Sequence, residues 1–264
     1  MKTNQHYKEG FSKNNEVKIF YRDYGPEDGD PILMVHGLGA QLVHWPQHLI
    51  NFLQENNFRP ITYDNRDVGL SSRFFNTPSF VLDYIKYFFR LPIKSEYKID
   101  DMADDGIKLL ETLKIKKAHI LSTSMGGMIA QIISAMYPEK VKTFTLIAST
   151  ASTPSPINAP SKAVREIMLE RSKNPNASYD EIIKREIKMV SLIGMKGRIV
   201  DTPEFRKETM ENLNRSQDGS GYARQLLSIL ASKDRLKKIK KIKAPTLIIH
   251  GKDDPMIHVR NAYK

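Results

Sequence analysis

Residues 118–127 read AHILSTSMGG. The apolar start of this stretch reads as a short buried strand, and beyond its two glycines Met128 to Tyr137 carries apolar residues at helical spacing. A strand that turns sharply into a helix lifts the residue at the junction above the sheet and sets it at the positive end of the helix dipole. Here that residue is Ser124. A serine hydroxyl attacks poorly until a base removes its proton, and a strained turn of this kind presents it for that purpose. The turn demands small residues two places before and two places after the serine. The usual pattern is G-x-S-x-G, and this chain supplies Ser122 and Gly126. Ser122 adds a Cβ and a hydroxyl where strand and helix approach closely, and serine is small enough to be accommodated there. A polar turn without chemistry fits the same ten residues, so the neighbouring segments decide.

Upstream, Ile32 to Val35 reads as another buried strand and runs into His36-Gly-Leu-Gly39. That glycine-rich turn falls where a second backbone donor is needed to hold an oxyanion. The amides of Leu38 and Met125 are the expected pair, and each such donor supplies roughly 3 kcal/mol or more to a transition state. His36 is expected to prop the turn by hydrogen bonding rather than to catalyse.

Further strands are expected at Pro60–Tyr63, Phe144–Ile147 and Thr246–Ile249, each buried on both faces, with an antiparallel strand over Val17–Tyr24. Helical patterns alternate with them at Leu49–Leu53 and Met102–Leu113, the second opened by acidic residues near Asp100. The alternation predicts an α/β fold, a mostly parallel sheet flanked by helices. It breaks between Thr153 and Leu230, where Pro, Asn and Ser punctuate amphipathic segments and no strand is legible. Ser178 with Glu181 forms a capping-box pattern, and Thr202 before Pro203 fits an N-cap with a first-turn proline. The expected organisation is a first part of the core over 1–152, a helical cap insertion over 153–230 and a second part of the core over 231–264.

The composition sets outer limits. The 264 residues suit one large domain or a domain plus an insertion, and no apolar run approaches a membrane span. The N-terminus lacks the apolar segment of a signal peptide, so a cytoplasmic location is expected. Zero cysteines exclude disulfides, thiolate metal sites and a cysteine nucleophile. The net charge of +11 is densest in KDRLKKIKKIK, Lys233 to Lys243. There Leu236, Ile239 and Ile242 recur every three residues, which predicts a half-buried helix with a solvated charged face rather than a nucleic-acid site.

Taken together, HGLG at 36–39, YDNRDVGLSS at 63–72, STSMGG at 122–127 and IIHGKDDP at 248–255 resemble the α/β-hydrolase superfamily in order and spacing. The similarity is greatest to capped, esterase-like members resembling aclacinomycin methylesterases, from about Tyr7 to the last residue and weakest in the cap. The commoner family segment has glycine where Asp67 stands. Asp64 and Arg66 are expected to brace their loop. The resemblance implies a triad acid just after a late strand, at Asp254, with Asp253 as the neighbouring alternative.

The triad's histidine belongs after a further strand, and the sequence stops at Lys264, so the chain is expected to be truncated at its C-terminus. His258 lies on the same loop as the acid. His44 and His48, flanking Trp45, are expected to line the pocket rim or to pack. His119 and His250 fall in strands and His6 in the N-terminal tail, so none fits the base. The resemblance implies hydrolysis of an ester or similar acyl bond in a small-molecule substrate through an acyl-enzyme at Ser124, with no metal or organic cofactor, no nucleic acid and no membrane span. Serine at the turn argues against the dehalogenase and epoxide hydrolase branches. A second expectation is a noncatalytic binding protein of the same fold that lacks the base. The aromatic stretch from Phe80 is expected either to line an apolar acyl site or to pack under the cap.

Overall fold

The computed structural model describes residues 7–76, 80–89, 91–152, 159–174, 177–216 and 220–263. Seven strands, β1 (Lys8–Asn14), β2 (Val17–Asp23), β3 (Asp30–Val35), β4 (Phe58–Tyr63), β5 (Ala118–Thr123), β6 (Val141–Ile147) and β7 (Thr246–Ile249), form one sheet in the order β1-β2-β4-β3-β5-β6-β7. β1 and β2 pair antiparallel across a tight connection, β2 joins β4 antiparallel, and every later pairing is parallel.

Helices α1 (Gln47–Glu55), α2 (Phe80–Phe88), α3 (Ile99–Thr112) and α4 (Met125–Met136) accompany the strands up to β6. Between β6 and β7 come α5 (Lys162–Lys173), α6 (Tyr179–Ile193), α7 (Pro203–Arg215) and α8 (Ser220–Ala231), then the single turn α9 (Leu236–Ile239). No strand occurs there among the described residues; positions 153–158 lie outside them.

The central strands are apolar on both sides because helices cover both faces. Leu33, Val35, Ile61 and Ile120 pack with Met102, Leu109 and Leu110 of α3 and with Ile129 and Ile133 of α4. On the opposite face, Ile32, Met34 and Leu121 meet Trp45 together with Ile50 and Leu53 of α1. β4 lies on one side of β3 and β5 on the other, so the connections leaving β3 and β5 diverge to opposite faces. Such a switch point opens a crevice at the carboxyl ends of the strands, where open α/β sheets bind ligands.

Local signals set the helix starts. Asp101 accepts from the Lys98 amide at 2.7 Å at the head of α3. Ser178 and Glu181 exchange a capping box before α6, and the Thr202 hydroxyl caps α7 ahead of Pro203.

Two expectations need correction, and one strand was not expected. β7 forms where its apolar residues predict, yet it is not buried. It is one of the sheet's two edge strands, paired among the described residues only with β6, and Leu247, Ile248 and Ile249 are 57%, 47% and 46% exposed. The lysine-rich run makes only the one-turn α9 instead of a helix spanning Leu236 to Ile242, although those apolar residues are half-buried as expected. Within it Arg235 turns inward, donating to Gln131 of α4 at 2.9 Å and to the Thr150 carbonyl at 2.9 Å. Finally, the N-terminal segment contributes β1, a strand that the sequence did not announce.

Candidate active site

Ser124 stands between β5 and α4 with φ 53° and ψ −123°, a backbone conformation that side-chain-bearing residues rarely adopt. Its own backbone holds it there. The Ser124 amide donates to the Ile147 carbonyl at 3.0 Å, and its carbonyl accepts from the Gly127 amide at 2.9 Å and from the Ser149 hydroxyl at 2.7 Å.

The small neighbours are required by contact. A Cβ on Gly126 would lie 2.1 Å from the Val35 carbonyl oxygen, and one on Gly127 would meet Leu146 and Ser149 at 2.5–2.6 Å. Ser122, fully buried, fits because its hydroxyl donates to the Thr145 carbonyl of β6 at 2.9 Å. The hydroxyl that replaces the usual glycine therefore has a partner.

The turn after β3 meets Ser124 directly. A Cβ on Gly37 would lie 3.1 Å from Ser124 Cβ and 3.5 Å from its Oγ. Gly39 adopts φ +68° and donates its amide to Gln225 Oε1 at 2.8 Å. The amides of Leu38 and Met125 donate to no group among the described residues, and both residues border the same cavity as Ser124.

His36 props the turn, its Nδ1 accepting from the Gly37 amide at 2.8 Å while its ring packs on Trp45 and His44. Burial, with the charge of His44 adding to it, pushes its pKa down to about 3, so it is neutral at neutral pH. His44 lines the cavity and accepts from the Gln41 amide, whereas exposed His48 does not line it.

The cavity has a volume of about 690 Å³ and lies between the carboxyl ends of the strands and helices α5–α8. Its wall is largely apolar, with Met168, Leu169, Ile182, Met189 and Val190 contributed by α5 and α6. Among the described side chains of the aromatic stretch Tyr87 and Phe88 reach it, while Leu82, Ile85 and Phe89 are exposed. The side chains of Phe80, Val81 and Tyr84 lie outside the described residues.

After β7, Asp254 is held by its own loop. Its Oδ1 accepts from the Met256 and Ile257 amides at 2.8 and 3.0 Å. Asp253 instead points outward to Lys196 Nζ at 3.1 Å, both exposed. His250 lies just past β7 rather than within it, and its Nε2 sits 3.5 Å from Asp254 Oδ2 and 2.6 Å from the Ile257 carbonyl. His258 is exposed, with Nδ1 accepting from the Arg260 amide. His119 bonds Asp30 and Thr143 within the sheet. No histidine hydrogen-bonds the Ser124 hydroxyl among the described residues, and neither His250 nor His258 lines the cavity; His6 lies outside those residues.

The loop after β4 is braced as expected. Asp64 accepts from the Leu42 and Leu70 amides and from Arg215 of α7, all at 2.8–2.9 Å, and Arg66 grips Asp105 of α3 with two bonds of 2.7 Å. Asp67 has φ 73°, which explains why glycine suits this place.

Sequence reasoning missed Arg171 and Arg185, which line the cavity, and Arg215 and Arg224, which pair with Asp64 and Asp67. For Arg185 a signal existed. It lies three residues after Ile182 and four before Met189, a charge set into an apolar helical stripe, and all three line the cavity.

Comparison with known proteins agrees with this architecture. A family model described as alpha/beta hydrolase fold matches residues 30–264. Rhodomycin D methylesterase DnrP from Streptomyces peucetius is 24% identical over 212 residues, 75% of this chain and 66% of that protein. The methylesterase DauP gives 65%, so the matched stretch spans about two thirds of the length of these two relatives. 3-Oxoadipate enol-lactonase 2 from Acinetobacter baylyi is 26% identical over 254 residues, 96% of this chain and 82% of that protein. Among solved structures, a carboxylesterase from the thaumarchaeon Nitrososphaera gargenis superposes with a TM-score of 0.71 at 18% identity, covering 96% of this chain and 84% of that one. On the strength of the family match and the shared sheet, the chain belongs to the α/β-hydrolase fold family and resembles the methylesterase branch within it.

Proposed function

We propose that this protein is a serine hydrolase that cleaves an ester or similar acyl bond in a small molecule. The observation that carries the reading is Ser124: a side chain in a rare backbone conformation, at a helix N-terminus, opening on a large apolar cavity. In this reading Ser124 Oγ adds to the carbonyl carbon and gives up its proton to a base. The carbonyl oxygen, now negative, accepts from the Leu38 and Met125 amides, whose lack of other partners supports that role. Expulsion of the alcohol, which takes up a proton, leaves an acyl-enzyme that water hydrolyses. Asp254, fixed by two amides, is the acid that orients the base. Helices α5–α8 serve as the cap. The names of the relatives, a methylesterase and an enol-lactonase, support the bond class. The lack of cysteine supports a cytoplasmic setting.

A second reading, a binding protein of the same fold without turnover, is favoured by one observation: no histidine among the described residues hydrogen-bonds Ser124. A fluorophosphonate probe separates the two. We expect covalent labelling of Ser124, lost in Ser124→Ala, and slowed about 100- to 10,000-fold where no base assists. Labelling that persists unchanged in Ser124→Ala would remove the serine hydrolase reading.

A further inference from the structure

Arg185 of α6 is only 8% exposed, and its Nε is buried without a hydrogen-bond partner. No carboxylate pairs with its guanidinium among the described residues. The adjacent Glu186 is engaged elsewhere, 3.1 Å from Arg171, whose guanidinium also stacks over the Tyr222 ring at 4.2 Å. The cavity wall carries Arg73, Arg165, Arg171 and Arg185 and, among the described residues, the single acidic side chain of Glu186; of these arginines Arg185 is the buried one, and no carboxylate pairs with it. An unpaired buried cation is costly, and native structures keep one where something else supplies its partner. Desolvation, followed by the repulsion of Arg171, depresses the pKa of Arg185 against the opposing pull of Glu186 and Glu170.

We propose that Arg185 anchors a carboxylate of the substrate, so that the hydrolase takes esters or lactones bearing one free acid group. This rests on the reading of Ser124 as the reacting residue of the same cavity. The guanidinium fork matches a planar carboxylate with two parallel bonds. A single carboxylate balances the one charge on Arg185. The apolar wall formed by Ile182, Met189 and Val190 suits the aliphatic chain between acid and ester.

The test is calorimetric titration of monomethyl adipate, an anion, and dimethyl adipate, its neutral counterpart, into the full chain and into Ser124→Ala and Arg185→Met. Wild type and Ser124→Ala are expected to prefer the monoester equally. Arg185→Met should bind the monoester about ten- to a hundredfold more weakly, leave diester binding unchanged, and melt no lower than wild type. Equal affinity for the two esters in wild type, no measurable affinity for either, or an unchanged monoester affinity in Arg185→Met overturns the proposal. If Arg185→Met melts well below wild type, Arg185→Lys decides, supporting the anchor if the monoester preference survives and overturning it if the preference is lost. Failure of Ser124 labelling beside an intact monoester preference would sink only the hydrolytic reading.

Discussion

Arg224 and Asp67 form a buried two-pronged ion pair, with Nε 3.1 Å from Oδ2 and Nη2 2.9 Å from Oδ1. The bond ties α8 to the loop after β4, and the two backbones are as close as their side chains: a Cβ on Gly221 would lie 1.8 Å from the Asp67 carbonyl oxygen. The helices over the cavity are therefore seated on the sheet through charge that water does not reach. Arg224→Ala should cost about 3–5 kcal/mol, because it strands the Asp67 carboxylate. Arg224→Met combined with Asp67→Gly should recover part of that loss, since the charge disappears and glycine accepts φ 73° without strain, while the Tyr97 hydroxyl and the Phe74 amide lose their acceptor. Urea unfolding of the double-mutant cycle measures the coupling, and simple additivity would contradict it.

The conformation that presents Ser124 has its own cost. At φ 53° and ψ −123° a Cβ is strained, and glycine is not. Ser124→Gly should unfold about 1 kcal/mol later than Ser124→Ala, even after the extra chain entropy of glycine, while both lose probe labelling. Matching stabilities in denaturant titration would show that the turn stores no strain.

His36 makes stability depend on pH with a definite sign. Its folded pKa, about 3, lies below the ordinary 6.5, so below pH 6.5 the unfolded chain binds the extra proton and the folded chain does not. The stability is present above pH 6.5 and is lost as pH falls toward 3. Between pH 6.5 and 5 the loss from this group is at most about 2 kcal/mol. His36→Asn keeps an acceptor for the Gly37 amide and should flatten that part of the curve. An unchanged slope in the variant would rule His36 out.

What was legible in the sequence followed from local pattern. The β-branched runs around Ile32, Ile61, Ile120 and Phe144 marked the strands because burial on both faces leaves little room for polar residues. Ser124 was readable because the tight turn restricts its neighbours to small residues. β1 was not, since KEGFSKN buries only Ser12, whose hydroxyl meets Thr112 of α3, and its stability comes from pairing with β2. The charge pairs were beyond reach for a different reason. Asp64 with Arg215 and Asp67 with Arg224 join residues about 150 positions apart, and neither partner carries a local mark of the other. Arg185 alone had such a mark, and charges within amphipathic helices are commonly solvated, which hid it.

The exposed strand β7 should govern how this chain behaves at high concentration. Leu247, Ile248 and Ile249 present apolar side chains beside an outer edge that no strand covers among the described residues. Such an edge offers unpaired amides and carbonyls to a second copy, and apolar side chains there reward the pairing with further burial. A charge on the strand opposes that association, because bringing two copies together would bury an unpaired ammonium. Leu247, 57% exposed, makes few contacts to lose, so Leu247→Lys should leave the unfolding free energy within about 0.5 kcal/mol of wild type. Light scattering during concentration should then begin at a clearly higher protein concentration for Leu247→Lys than for wild type. Lys243→Leu, which removes a charge just before the strand, should shift the onset the other way. If both variants scatter at the same concentration as wild type, the edge of β7 is not what limits solubility.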